Sequence, residues 1–262
     1  MSLPIGLDIA KSKIDFFCNN RHCVIANDAK SIKERFKGLD RSSRVVLEAT
    51  GKYHRTVHKT LEKMGFNVMV VNPFQSKHFA KAMNLRCKTD KVDAKMLAMY
   101  AERMLFKQTV CMSKHQEKLQ ELLRHLDDLK QMRVDIKARL RESSEGTIAR
   151  SLKRTLKAIE TEINLCEKDL EASVRSDEVY SKNLDLLLTI PGVGVTTAIS
   201  LLCLLRELGQ VSKRCIASLS GLAPINHDSG KMKGKRMIQG GRGDVRRHLY
   251  MPIVGAATKH NP

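Results

Sequence analysis

The chain has 262 residues, with 47 Lys and Arg against 28 Asp and Glu, and so carries a formal charge of +19. That excess calls for a polyanionic partner, nucleic acid first, and the length allows one large domain or two modest ones with a real core. No apolar run reaches membrane-spanning length and the N-terminus lacks a signal-peptide layout, which excludes an integral membrane protein and leads us to expect a cytoplasmic one. Seven cysteines are scattered without a CxxC pair. Cys18, His22 and Cys23 are close together, but nothing downstream completes a four-ligand set, so the cysteines read as reduced, mostly buried thiols.

Residues 1–106 read as α/β. Strand-like runs cover 4–9, 13–18, 23–26, 45–48 and 67–71, and helical segments cover 31–37, 53–64, 74–82 and 89–103. Gly65 reads as a helix C-cap, and Asn72-Pro73 stops the last strand and restarts the chain as a helix. Early antiparallel strands followed by strand–helix units fit a ribonuclease-H-like sheet.

Four acids fall at the edges of these elements. Asp8 closes Ile5-Gly-Leu-Asp, and Glu48 closes Val45-Val-Leu-Glu. Asp90 and Asp93 open a helix for which Thr89 is the expected N-cap, and their i, i+3 spacing puts both on one face of its first turn. An acid at a strand end is often only a turn or cap residue. Crowded together, however, carboxylates repel one another unless a cation sits between them, and hard oxygen donors suit Mg²⁺ or Mn²⁺. Two such ions can clamp a phosphodiester under attack.

Residues 107–180 change character. Leu119, Leu122, Leu126, Leu129, Ile136 and Leu140 follow a 3-4 alternation, Glu142-Ser-Ser-Glu-Gly146 forms a turn, and Leu152, Leu156, Ile159, Ile163, Cys166 and Leu170 repeat the pattern. Two helices of this kind form a coiled-coil hairpin that serves as spacer and oligomerisation arm, or else a bundle packed on its own chain. Residues 181–262 form a third, mostly α segment. Its Thr189-Ile-Pro-Gly-Val-Gly194, between two apolar helices, resembles a helix-hairpin-helix. There Gly192 and Gly194 would let the backbone approach a phosphate, at a helix N-terminus offering free N–H groups. A tight interhelical turn is the plainer alternative. Then comes a glycine-dense basic stretch with Lys231, Lys233, Lys235, Arg236, Arg242, Arg246 and Arg247, read as a mobile nucleic-acid cradle. It begins at Ser229, between Asp228 and Gly230, which is either an ordinary turn serine or a nucleophile.

Three N-terminal motifs, Gly6-Leu-Asp-Ile-Ala-Lys-Ser-Lys-Ile-Asp15, Leu47-Glu-Ala-Thr-Gly-Lys-Tyr53 and Lys88-Thr-Asp-Lys-Val-Asp-Ala-Lys-Met-Leu-Ala98, resemble the DEDD transposases of the insertion-sequence-110 family. Gly221-Leu-Ala-Pro224, Ser229-Gly230 and Gly240-Gly-Arg-Gly-Asp-Val-Arg-Arg-His-Leu-Tyr-Met251 resemble the C-terminal domain of the same family. The resemblance implies a RuvC-like N-terminal domain in which Asp8, Glu48, Asp90 and Asp93 hold Mg²⁺, and a catalytic Ser229 that attacks DNA from its own or a partner chain. It also implies DNA partners at element ends and target, an element-encoded guide RNA, a dimer or tetramer, and work at the nucleoid. Family members usually continue past Pro262, so either a truncated chain or a degenerate copy is expected. A junction-resolving nuclease that uses water, and a non-catalytic DNA-binding protein, are the alternatives.

Overall fold

The computed structural model describes residues 3–85, 89–230 and 232–259. Lys88 and Lys231 lie outside the described residues. The chain divides into two compact units, Met1–Cys111 and Met112–Pro262, where three segments were expected.

The first unit is a mixed five-stranded sheet with helices. Strands β1 (Pro4–Ile9), β2 (Lys13–Cys18) and β3 (Arg21–Ala26) form an antiparallel meander, while β4 (Arg44–Glu48) and β5 (Asn67–Val71) add in parallel, in the order β3-β2-β1-β4-β5. Asn19 and Asn20 join β2 to β3 with φ of 48° and 60°. A two-residue hairpin turn needs that left-handed backbone, and Asn tolerates it. The turn carries β3 back to Arg21, two residues earlier than periodicity predicts. Helices α1 (Ala29–Phe36), α2 (His54–Lys63), α3 (Pro73–Ala82) and α4 (Asp90–Arg103) complete the unit.

Alternation along the strands decides which face each residue serves. Ile5, Leu7, Ile9, Val45 and Leu47 face Ile32 and Phe36 of α1 and Val57 and Leu61 of α2, in one apolar core. Gly6, Asp8, Val46 and Glu48 therefore belong to the opposite face, where Val46 packs with Met96, Leu97 and Tyr100 of α4. Helix α4 lies so close on β1 that a Cβ at Gly6 would collide with the Ala94 carbonyl oxygen and the Ala98 nitrogen. Gly6 thus sets the height of α4 above the sheet.

The second unit is mostly α. A capping box of Ser113 and Gln116 starts α5 (Lys114–Glu142), which pairs with α6 (Gly146–Arg175). Helices α7 (Glu178–Leu188), α8 (Val195–Leu204), α9 (Lys213–Ser220) and α10 (Gly243–Lys259) follow, with a two-stranded ribbon of β6 (Pro224–Ile225) and β7 (Met237–Ile238) before α10. Helix α10 runs through Pro252.

The hairpin is not a separate body. Leu119, Leu123, Leu126 and Leu129 share a core with Ile163, Cys166, Leu170 and Val174, and with Leu184, Ala198, Ile199 and Leu202 of α7 and α8. The intrachain bundle accounts for half of the repeat. Towards the tip the seam is only half-buried, at Ile136, Leu140, Leu152 and Leu156. A 3-4 pattern specifies an apolar stripe but not the partner that covers it, which explains the open choice at the sequence level.

Candidate active site

Strand register brings the acids of the first unit together. Asp8 and Glu48 end adjacent strands on the face beneath α4, and Thr89 caps α4 by accepting from Val92 N at 3.3 Å, which sets Asp90 and Asp93 in the first turn. Burial pushes the Asp8 carboxyl up to about 6, reinforced in turn by the charges of Asp93, Asp90, Asp15 and Glu48. All four predicted acids therefore lie within one electrostatic neighbourhood. Hard oxygen donors grouped around a carboxyl whose ionisation they disfavour, as here at Asp8, fit a divalent cation such as Mg²⁺ or Mn²⁺.

The neighbours differ in how they are held. Glu48 Oε2 accepts from the buried Ser76 hydroxyl at 2.7 Å. The Lys13 ammonium donates to Asp90 Oδ2 at 2.6 Å and holds that exposed carboxyl below the usual carboxylate range. Sequence reasoning missed a fifth acid. Asp15 stands directly opposite Asp8 in the β1–β2 register, is 4% exposed, and is paired with His22 Nε2 at 2.8 Å and Lys13 Nζ at 3.2 Å. Like charges directly opposite destabilise a sheet, and Lys13 and His22 offset that at Asp15. A usable signal was present: Asp8 and Asp15 flank a short hairpin symmetrically.

In the second unit, Ser229 is exposed, and it exchanges both backbone hydrogen bonds with Met232, at 3.0 and 2.9 Å. Asp228 Oδ1 is taken by Gly234 N at 3.1 Å. Among the described residues the Ser229 hydroxyl touches no base. The surrounding loop is a ribbon with a fixed base rather than a free segment. Gly221 (φ 69°) and Gly241 (φ 64°) let two backbones cross, since a Cβ on Gly241 would strike Gly221. Arg246 Nη1 binds the carbonyls of Gly240 (2.6 Å) and Ser220 (3.1 Å) at the same place.

Arg242 forks onto both Glu207 oxygens at 2.7 Å and also reaches the Leu204 carbonyl, so it too is spent on the fold. Arg247 pairs with Asp244 at 2.9 Å. Lys233, Lys235 and Arg236 are exposed and make no side-chain ion pair among the described residues; Lys231 lies outside them. In the interhelical turn, Gly192 has φ 84°, and a Cβ there would meet Ala256 Cβ of α10 at 2.8 Å, so this glycine admits a helix. Gly194 is the open N-cap of α8 and offers no side-chain cap.

A Ser–His–Asp chain also occurs in this unit. Ser200 Oγ lies 3.1 Å from His248 Nδ1, and His248 Nε2 lies 3.1 Å from Asp127 Oδ2. Ser200 is fully buried and donates its hydroxyl hydrogen to the Thr196 carbonyl at 2.7 Å. It therefore accepts from His248 and joins α5, α8 and α10 as a polar bolt, not as a nucleophile.

Comparison with known proteins places the chain in a family. Residues 5–146 match the family model of IS110-type DEDD transposases, described as "Transposase", and residues 184–262 match that described as "Transposase IS116/IS110/IS902 family". The chain belongs to this transposase family, whose DEDD domain is ribonuclease-H-like, and the mixed sheet fits that fold. The chain is also similar to the pilin gene-inverting protein of Moraxella bovis, at 28% identity over 264 residues, covering 95% of this chain and 81% of the relative. The protein of the same name from Moraxella lacunata matches at the same identity and coverage.

Proposed function

We propose that the protein is a DNA recombinase that cuts and rejoins DNA at the ends of an insertion element and at its target. The observation that carries this reading is the grouping of Asp8 and Glu48 with Asp90 and Asp93 of the first turn of α4, with the Asp8 carboxyl raised to about 6 by burial and by its acidic neighbours. These four residues would hold Mg²⁺ or Mn²⁺. Bound there, the cation would neutralise charge building on phosphate oxygens. The inverting relatives, named for turning a pilin gene around, support rejoining rather than cutting alone.

In this reading the Ser229 oxygen attacks the DNA phosphorus. A phosphoserine ester forms, the phosphorus–sugar oxygen bond breaks, and the serine proton passes through solvent to the departing sugar oxygen, which leaves as a hydroxyl. The ester conserves the bond energy for rejoining. Lys233, Lys235 and Arg236 serve as phosphate contacts beside it, and Gly194 opens the α8 N-terminus to a backbone phosphate. Aromatic residues make up only 4% of the chain and Trp is absent, which disfavours reading bases by stacking. A guide RNA, implied by the family resemblance, is then the source of sequence choice. The half-buried hairpin tip is where a dimer or tetramer would form, and the place of work is nucleoid DNA in the cytoplasm.

The absence of a base against the Ser229 hydroxyl among the described residues favours a second reading, a metal-dependent junction-resolving nuclease in which water attacks. A denaturing gel of labelled end DNA with protein, Mg²⁺ and co-transcribed RNA separates the two. The recombinase reading expects a covalent protein–DNA adduct that Ser229→Ala abolishes. Cleavage by Ser229→Ala at the wild-type rate, leaving a free hydroxyl end, overturns it.

A further inference from the structure

A second group of ligating side chains lies in the first unit, apart from the acids under α4. His58 and Glu62 stand one turn apart on α2, and Cys111 joins them from the last residues of the unit. One donor atom from each lies within 4.8 Å of the others; His58 is buried, and Glu62 and Cys111 are half-buried. Carboxylate, imidazole and thiol together form a different donor set from the all-oxygen group, and a thiolate with an imidazole selects Zn²⁺ over Mg²⁺.

The surroundings are those of a built site. His58 Nε2 lies 2.9 Å from the Thr109 carbonyl, which can only accept, so this nitrogen donates and the ring is held in one orientation. Metal-bound histidines are commonly oriented in this way by a backbone carbonyl. Thr109 is itself fixed, since its N–H donates to Val68 O at 2.8 Å and its hydroxyl accepts from Val70 N at 3.0 Å. Cys111 N donates to Glu62 Oε1 at 3.1 Å, and the Cys111 side chain also hydrogen-bonds this carboxylate, so thiol and carboxylate are already drawn together.

We propose that His58, Glu62 and Cys111 bind one Zn²⁺, with water as fourth ligand, and that the ion fastens the segment after α4 to α2 along the edge strand β5. On binding, the Cys111 thiol releases its proton to solvent and the sulfur–zinc bond forms. This proposal is independent of the recombinase reading. The test uses the full chain, stripped with chelator and reloaded in excess Mg²⁺. Expected results are one tightly held Zn²⁺ per chain and, with Co²⁺ in its place, a thiolate-to-cobalt charge-transfer band. Cys111→Ser should abolish the band, and Glu62→Gln should weaken Zn²⁺ binding at least tenfold. Cys23→Ser, a thiol elsewhere in the unit, should leave both unchanged. Failure of the wild type to retain Zn²⁺, or an undiminished band in Cys111→Ser, overturns the proposal. Circular dichroism melting of each variant separates lost ligation from lost folding.

Discussion

The acid cluster of the first unit and the Ser229 ribbon of the second are built on opposite principles. The acids sit on paired strands and a capped helix, half-buried except for the exposed Asp90, and their geometry is fixed by backbone that the hydrophobic core already orders. The electrostatic cost of that crowding appears as the raised Asp8 pKa. Ser229 instead stands exposed at the end of a two-stranded ribbon, and order is supplied only at its base, by the crossing of Gly221 and Gly241 and by Arg246. One site stores strain in charge and has a rigid frame; the other is electrostatically relaxed and locally thin. Substitutions should therefore dissociate activity from stability in opposite ways in the two regions.

The largest effect is expected at the acids. Asp8→Asn should reduce Mg²⁺-dependent strand cleavage by at least about 100-fold, since even outer partners of a metal ligand are worth 10–100-fold. The same change should raise the melting temperature of the metal-free protein at pH 8. Normal cleavage by this variant, measured on labelled DNA at ordinary Mg²⁺, removes Asp8 from the site.

Next is Gly6→Ala, which forces α4 away from β1. Overpacking of this kind costs about 1–3 kcal/mol, and it should also misplace Asp90 and Asp93, so that denaturant unfolding and cleavage fall together. A fully stable and active Gly6→Ala protein would show that α4 has room to lift.

The pH dependence sharpens the contrast. The folded pKa of Asp8, about 6, lies above its ordinary value of 3.8. The native state therefore binds the proton more tightly, and the stability this confers is present below about 3.8 and lost as pH rises through about 6. The gain in melting temperature from Asp8→Asn should accordingly vanish near pH 4, grow between about pH 4 and pH 6, and level off above that. Cleavage should fall as pH drops through about 6, because a protonated Asp8 is a poor cation ligand. Ser229→Ala should show no such pH-dependent change in stability, and its melting should stay within about 0.5 kcal/mol of wild type, as for other exposed substitutions.

The smallest effect is expected at Lys235. If it contacts a phosphate, Lys235→Ala should weaken DNA binding evenly across sequences and lower the slope of log affinity against log salt by about 1. An unchanged slope in a salt titration would remove Lys235 from the interface.

Much of the first unit could be read directly from the chain. Strand alternation, the Asn72-Pro73 stop and the Thr89 cap are local signals, and they place Asp8, Glu48, Asp90 and Asp93 at element ends without knowledge of the rest. The basic excess and the 3-4 repeats are likewise set by composition and period. What the tertiary structure alone decided are the pairings between segments far apart in sequence. Register put Asp15 opposite Asp8, and Lys13 onto Asp90 across 77 positions. Folding brought Cys111 to Glu62 across 49 positions, a group that no ligand spacing announces. Arg242 and Arg246, which look like phosphate contacts in a basic run, became internal braces because Glu207 and the carbonyls of Ser220 and Gly240 were delivered to them. The apolar stripe of the hairpin found its cover in α7 and α8. Periodicity records that a face must be buried and charge records that a partner is needed; which surface or group meets that need depends on chain closure over long distances, which no local pattern carries.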